Sequence, residues 1–350
     1  MGTTMLADLR ECRLSWSDDA QPGLHRRRVG RGFTYVGPDG RVERDPAVRA
    51  RVKALAIPPA WADVWICASP NGHLQATGRD ARGRKQYRYH PRFREHCELT
   101  KFDHLAVFGR VLPRIRARVA DDIARPGLPR EKVVATVVRL LEATLVRVGN
   151  EEYAKQNGAF GLTTLRNRHA RLDRGAVRFV FRGKSGRDHE VSVTDASLCR
   201  IIRKCQDLPG QLLFQYVEDG EPRPVSSTDV NDYLRETTEH EDVTAKEFRT
   251  WMATVISASS LASLPEPSSD REARRAVTET IGFVSRHLGN TPAVCRRSYV
   301  HPTVIDAFHS GVLAEQWTAP VPRVRGLVVD ERRLLALLDR GQSSAARNAA

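Results

Sequence analysis

The chain has 350 residues, 41% of them apolar, enough for two domains with a sizeable core. A formal charge of +14 favours a polyanionic partner, with nucleic acid the first candidate. No stretch approaches about 18 uninterrupted apolar residues and the opening MGTTMLADLRE has no apolar run, so neither membrane spanning nor export is expected.

In chain order, residues 1–30 are polar and arginine-rich and read as an extended lead-in. Residues 31–97 carry the signals of a small sheet. GFTYV and RVERD flank the turn Gly37-Pro38-Asp39-Gly40, and VWICAS and HLQATGRD flank Pro70-Asn71-Gly72. Between them a short helix is expected, stopped by Pro58-Pro59. From about 102 the pattern turns to amphipathic helices, over 102–124 and 130–157, the second with Val133, Val137, Leu141, Leu145 and Val148 at helical spacing. A domain boundary is therefore placed near 98–101, with a mainly helical domain over 98–340.

Within that domain the clear β signal is a hairpin: VRFVFR (177–182), the turn GKSG, and the returning RDHEVSV. Helices are expected at about 195–206, 227–240, 244–263, 270–288 and 291–310, with capping boxes at Thr244/Glu247 and Ser269/Glu272. The tail 341–350, GQSSAARNAA, is expected to be disordered. Six cysteines (12, 67, 97, 199, 205 and 295) form no CxxC and no cluster with histidine, which suits reduced thiols in a cytoplasmic protein.

Five polar residues on separate elements suit one chemistry. Arg147 falls late in the 130–157 helix, and Lys184 sits at the hairpin turn. Arg249 lies beside, rather than on, the face marked by Phe248, Met252 and Val255. Asn290 follows Gly289 at a helix end, and Tyr299 stands in RRSYVHP. Singly these read as a solvated arginine, a turn lysine, a helix cap and a half-buried tyrosine. Together they could serve a phenol attacking a phosphodiester: its oxygens need fixed donors and its leaving oxygen needs a proton. The chain has eight lysines against 48 arginines, which makes each lysine's position less accidental.

Several segments, in order over roughly residues 30–310, resemble the type IB DNA topoisomerases of the small bacterial and poxvirus-type branch. GRKQYRYHPRF (83–93) resembles that branch's N-terminal DNA-binding signature. LVRVGNEEYAKQNGAFGLTTLRNRH (145–169) resembles the segment of its first catalytic arginine, and GKSG the loop bearing its lysine. KEFRTW (246–251) resembles the second-arginine motif, and GFVSRHLGNTPAVCRRSYVHP (282–302) the nucleophile segment. The resemblance implies an α+β fold: a small β-rich N-terminal DNA-binding domain and a larger, mainly helical catalytic domain of the tyrosine recombinase/topoisomerase IB type.

It further implies Tyr299 as nucleophile, Arg147, Arg249 and Asn290 as donors to the phosphate, and Lys184 as general acid. Gln86, Tyr87, Tyr89 and Tyr153 match DNA-contact positions. No cofactor is implied, neither ATP nor metal, and the chain has no GxxxxGK[ST] loop. The implied partner is duplex DNA, clamped by a monomer associated with the nucleoid. Two departures stand out: Asn290 stands where poxvirus-type and cellular enzymes carry His, the bacterial branch being similar to this chain in using Asn, and Met252 follows KEFRTW. A tyrosine recombinase is the competing enzyme, but it carries His-x-x-Arg where this chain has Lys246-Glu247-Phe248-Arg249, and its N-terminal domain is helical. A non-enzymatic duplex-binding protein would explain the charge but not the constellation.

Overall fold

Alternating and β-branched segments in the first hundred residues pair into a five-stranded antiparallel sheet of order β2-β1-β3-β4-β5. Its strands are β1 (Gly23–Val29), β2 (Gly32–Val36), β3 (Ala62–Cys67), β4 (Leu74–Arg79) and β5 (Lys85–Tyr89). The structure is a computed structural model and describes residues 8–30, 32–81 and 83–348. The chain divides into two compact units, Met1–Lys101 and Phe102–Ala350.

In the first unit Leu24, Val52, Val64, Ile66 and Ala76 form the core beneath the helix Pro46–Ala54. Residues 1–30, expected as an extended lead-in, are instead partly integral. Leu9 and Leu14 are buried with Phe93, Trp16 stacks on His73 at 4.7 Å, and residues 23–29 are β1. The arginines hid this strand, since their aliphatic stems lie along a sheet while their heads reach polar groups. Arg26, for example, donates to the carbonyls of Pro58 and Trp61. The expected pairing of GFTYV with RVERD reduces to one bridge, Val36 to Val42, because β2 pairs with β1.

The second unit is built on the helices Leu105–Ala124 and Arg130–Thr144, whose apolar faces meet the buried helix Ala245–Ala262. Trp251, 1% exposed, fixes the approach of that helix. A Cβ on Gly109 would lie 2.3 Å from its ring, so only glycine admits the indole. The Trp251 Nε1 donates to Glu331, a buried carboxylate that also accepts from Arg116. Glu331 belongs to the last helix, Val329–Asn348, which this ion pair ties to the core.

Four expectations change here. The predicted 130–157 helix stops at Thr144, with Leu145 left-handed at φ 55°, and a separate short helix spans Glu151–Asn157. The predicted 291–310 helix is two, Pro292–Ser298 and Pro302–His309, split because Pro302 cannot continue the preceding hydrogen-bond ladder. The hairpin β7 (Ala176–Arg182)–β8 (Asp188–Thr194) gains a third strand, β6 (Ala170–Asp173), and a second ribbon pairs β9 (Gln215–Glu218) with β10 (Glu221–Pro224). The residues from 341, expected to be disordered, continue the last helix to Asn348, in keeping with their alanine content; the last two lie outside the described residues. Among the described residues no helix is long and apolar enough to cross a membrane.

Candidate active site

The break at Leu145 creates the site. Residues 145–150 leave the helix as an irregular segment braced from the 158–165 loop: Leu162 N–H donates to the Arg147 carbonyl at 2.9 Å and Thr163 N–H to that of Val148 at 2.7 Å. A Cβ on Gly161 would lie within 2.6 Å of Gly149 Cα and the Arg147 carbonyl, so the two strands of this brace meet only through glycine. Arg147 therefore projects from a pinned loop, not from the helix surface the sequence suggested. Its Nη2 donates to Asn290 Oδ1.

Arg249 is also placed otherwise than expected. It is 3% exposed, inside the core rather than beside it. One Nη donates to the Leu145 carbonyl and the other to that of Leu288 at 2.7 Å. These are the cap residues closing the helices Arg130–Thr144 and Asp270–His287. One guanidinium thus satisfies carbonyls at two helix C-termini, where the helix dipoles also favour a cation. The same guanidinium carbon lies 5.2 Å from the Tyr299 ring centroid.

Asn290 follows a Schellman ending: Gly289, at φ 60°, donates to Arg286, and the Asn290 N–H donates to the Ser285 carbonyl at 2.9 Å. Its side chain, 6% exposed as a residue, is aimed inward. Tyr299 sits at the break between the short helices Pro292–Ser298 and Pro302–His309. Thr254 holds the backbone beside it: its hydroxyl, 2.7 Å from the Thr250 carbonyl and 3.2 Å from that of Tyr299, accepts the His301 N–H at 3.2 Å. Lys184 stands at the β7–β8 turn with Nζ 5.9 Å over the ring of Tyr153. Arg147, Tyr153, Lys184, Arg249 and Tyr299 line one cavity of about 410 Å³, and Asn290 adjoins it through Arg147.

The electrostatics suit a phenol nucleophile. Burial alone would raise the Tyr299 pKa, but the charges of Arg249 and Arg147 outweigh it and hold the phenol below its ordinary value. Burial and Arg147 pull Arg249 down to about 10, so it stays cationic at neutral pH. Two buried donors, Arg249 Nε and Asn290 Nδ2, have no hydrogen-bond partner among the described residues. Buried donors left unpaired are costly. Here both belong to side chains that favour the ionised form of the Tyr299 phenol.

All five catalytic candidates are thus brought together, with Tyr153. In the first unit, Tyr87 and Tyr89 share one exposed face of β5, their rings 6.1 Å apart and 12° from parallel, with Lys85 over Tyr87. Strand alternation puts Gln86 on the opposite face, where its amide donates to Asp80 at 3.1 Å. Sequence reasoning missed Lys246, which also lines the cavity, and Arg187 and His189 on the lysine hairpin. The scarcity of lysine was a usable signal for Lys246. The other two had none.

Residues 90–318 match the family described as eukaryotic DNA topoisomerase I, catalytic core, and residues 32–80 that described as bacterial DNA topoisomerase IB, N-terminal domain. The chain belongs to the type IB DNA topoisomerases. It is 30% identical over 296 residues to the DNA topoisomerase 1B of Acanthamoeba polyphaga mimivirus, covering 82% of this chain and 88% of that protein. With the DNA topoisomerase 1B of vaccinia virus (strain Copenhagen) it shares 22% identity over 242 residues, 65% of this chain and 70% of the other. Among solved structures, the XerH site-specific recombinase bound to its difH substrate gives a TM-score of 0.34 at 10% identity, covering 54% of this chain and 49% of that one.

Proposed function

We propose that this protein relaxes supercoiled duplex DNA by cutting and resealing one strand through Tyr299. The phenolic oxygen attacks a backbone phosphorus, the bond from phosphorus to the 5′-oxygen breaks, and a 3′-phosphotyrosyl ester forms. The phenol gives up its proton and the departing 5′-oxygen gains one from Lys184. Arg147, Arg249 through Nε, and Asn290 through Nδ2 donate to the non-bridging oxygens as charge builds on them. Free rotation of the 5′-end relieves the supercoil, and the 5′-hydroxyl then attacks back. One ester is exchanged for another at each step, so the cycle itself consumes no ATP.

The observation that carries this reading is the pair of buried, unpartnered donors beside a phenol whose ionisation two arginines favour. Tyr87, Tyr89 and Tyr153 supply DNA contacts, and the protein acts as a monomer on the nucleoid in the cytoplasm. The β-rich first unit and Lys246 at the position of a recombinase histidine favour relaxation over recombination. The test is plasmid relaxation in EDTA without ATP, with a covalent protein–DNA adduct trapped by denaturant. The expected result is relaxation by the wild type, with the adduct at the 3′-phosphate. DNA binding with neither relaxation nor adduct would refute it.

A further inference from the structure

His189 lies on β8, five residues beyond Lys184, and its imidazole is enclosed by glycines from two different segments. A Cβ on Gly183 would fall 2.5 Å from its Cδ2 and 2.6 Å from its Nε2, and one on Gly289 would fall 2.6 Å from its Cε1. Gly183 opens the turn that carries Lys184, and Gly289 immediately precedes Asn290. The ring stacks on Phe181 with centroids 5.2 Å apart and planes 7° from parallel. Beside it, Arg187 Nη1 donates to the Asn290 backbone carbonyl at 2.8 Å.

Gly289 has φ 60° and needs glycine for its conformation as well as for the ring. Gly183 differs. Its backbone is extended, φ −97° and ψ −168°, a conformation any residue adopts. Only the imidazole excludes a side chain there. The groups facing His189 are the guanidiniums of Arg147, Arg249 and Arg187 and the carboxylate of Asp188, and burial together with the arginines keeps the ring neutral. No hydrogen bond to its nitrogens is found among the described residues, so its hold on the two glycines is steric.

We infer that His189 is a positioning residue: a flat wedge between Gly183 and Gly289, seconded by the Arg187–Asn290 bond, that sets how far the Lys184 turn stands from the Asn290 segment. The inference rests on the reading of Lys184 as general acid. A turn that is free to shift by an ångström would misplace the ammonium relative to the leaving oxygen, a displacement worth about 10²-fold in rate.

The experiment measures single-turnover cleavage by the full-length protein on paired substrates, one with the ordinary 5′-oxygen and one with a 5′-bridging sulfur, whose thiolate departs without a proton. The variants are Lys184→Ala, His189→Ala, Gly183→Ala and the double Gly183→Ala/His189→Ala. His189→Ala should cleave the oxygen substrate about 10²-fold slower than wild type and the sulfur substrate at nearly the wild-type rate. Gly183→Ala, which drives a Cβ into the ring, should follow the same pattern. The double variant should be no slower than His189→Ala alone, because the Gly183 Cβ then meets nothing closer than ordinary contact; independent defects would instead multiply to about 10⁴-fold. Rescue of Lys184→Ala by sulfur without rescue of His189→Ala overturns the wedge while leaving the general acid in place. A double variant in which the two defects multiply overturns it whatever the sulfur result. Failure of sulfur to rescue Lys184→Ala removes the general-acid reading instead, and the double-variant comparison still tests the wedge.

Discussion

Arg249 should prove to be a catalytic residue that the fold cannot spare. Arg249→Ala leaves the carbonyls of Leu145 and Leu288 without their donors at two buried helix ends. A buried polar group stripped of its partner costs about 1–3 kcal/mol, so the pair costs roughly 2–6 kcal/mol. Some is returned, because a buried cation beside Arg147 disappears with it, and the lower end of the range is the expectation. At about 2–4 °C per kcal/mol for a domain of this size, a loss of about 2 kcal/mol lowers the melting temperature by roughly 4–8 °C. Lys184→Ala, at an exposed turn, should change it by no more than about 1–2 °C, as surface substitutions do. Cleavage should fall in both, and losing one donor to the developing charge is worth about 10²–10³ in rate. Thermal unfolding followed by circular dichroism, beside single-turnover cleavage, reads both effects. If Arg249→Ala melts with the wild type while cleavage collapses, the two carbonyl bonds do not hold these helix ends and the structural half of the reasoning fails.

Tyr299→Phe should bind DNA with near wild-type affinity and form no covalent adduct; any relaxation by it would remove Tyr299 as nucleophile. Because Arg249 and Arg147 lower the phenol's pKa, the cleavage rate should climb with pH and level off below pH 10, and Arg147→Ala should move that plateau upward. His301 is pushed down by burial from 6.5 to about 4, so the unfolded chain takes up its proton first as pH falls. Stability should therefore be lost between about pH 6.5 and 4, by up to about 3 kcal/mol. His301→Asn, which can still cap the next helix, should flatten that part of the denaturation curve; an unchanged curve would show that His301 is not the group responsible. Tyr87→Ala and Tyr89→Ala should weaken DNA binding more than Gln86→Ala, whose amide is engaged with Asp80, and equal losses for all three would contradict the face assignment. Gly109→Ala should destabilise by about 1–3 kcal/mol through its clash with Trp251, which denaturant unfolding would measure.

The class of each unit and most helices were legible because periodicity and caps are local. Thr244 and Glu247 form the expected box, whereas Glu272 returns to Ser268 rather than to Ser269. The sequence failed where neighbours distant in the chain decide. Leu145 extends the apolar stripe and nothing local announces that it turns left-handed; the brace at Gly161 and the guanidinium of Arg249 make that ending stable. For the same reason Arg249 was legible as a residue type but not as a buried one, since its burial follows from two helix ends that converge on it. Motif order named Tyr299, Lys184, Asn290 and both arginines. It gave no sign of His189, whose importance lies in two glycines, one six residues before it and one a hundred after it.

The grip of Thr254 on the backbone around Tyr299 has a mechanical consequence. In the proposed covalent intermediate, tension in the DNA is a pull on that tyrosine. The pull passes through the Tyr299 carbonyl and the His301 amide to a hydroxyl that is 0% exposed, in the middle of the helix that also carries Arg249. Force is thus delivered to the middle of a buried helix and not only to the junction of two short helices, so the proposed phosphotyrosyl bond would keep its alignment for resealing while the duplex turns under load. Thr254→Val, which keeps the shape and deletes the hydroxyl, should leave slack-DNA cleavage nearly intact yet slow resealing as tension rises in a single-molecule twist measurement. Resealing with the same force dependence as wild type would show that the hydroxyl carries none of the strain.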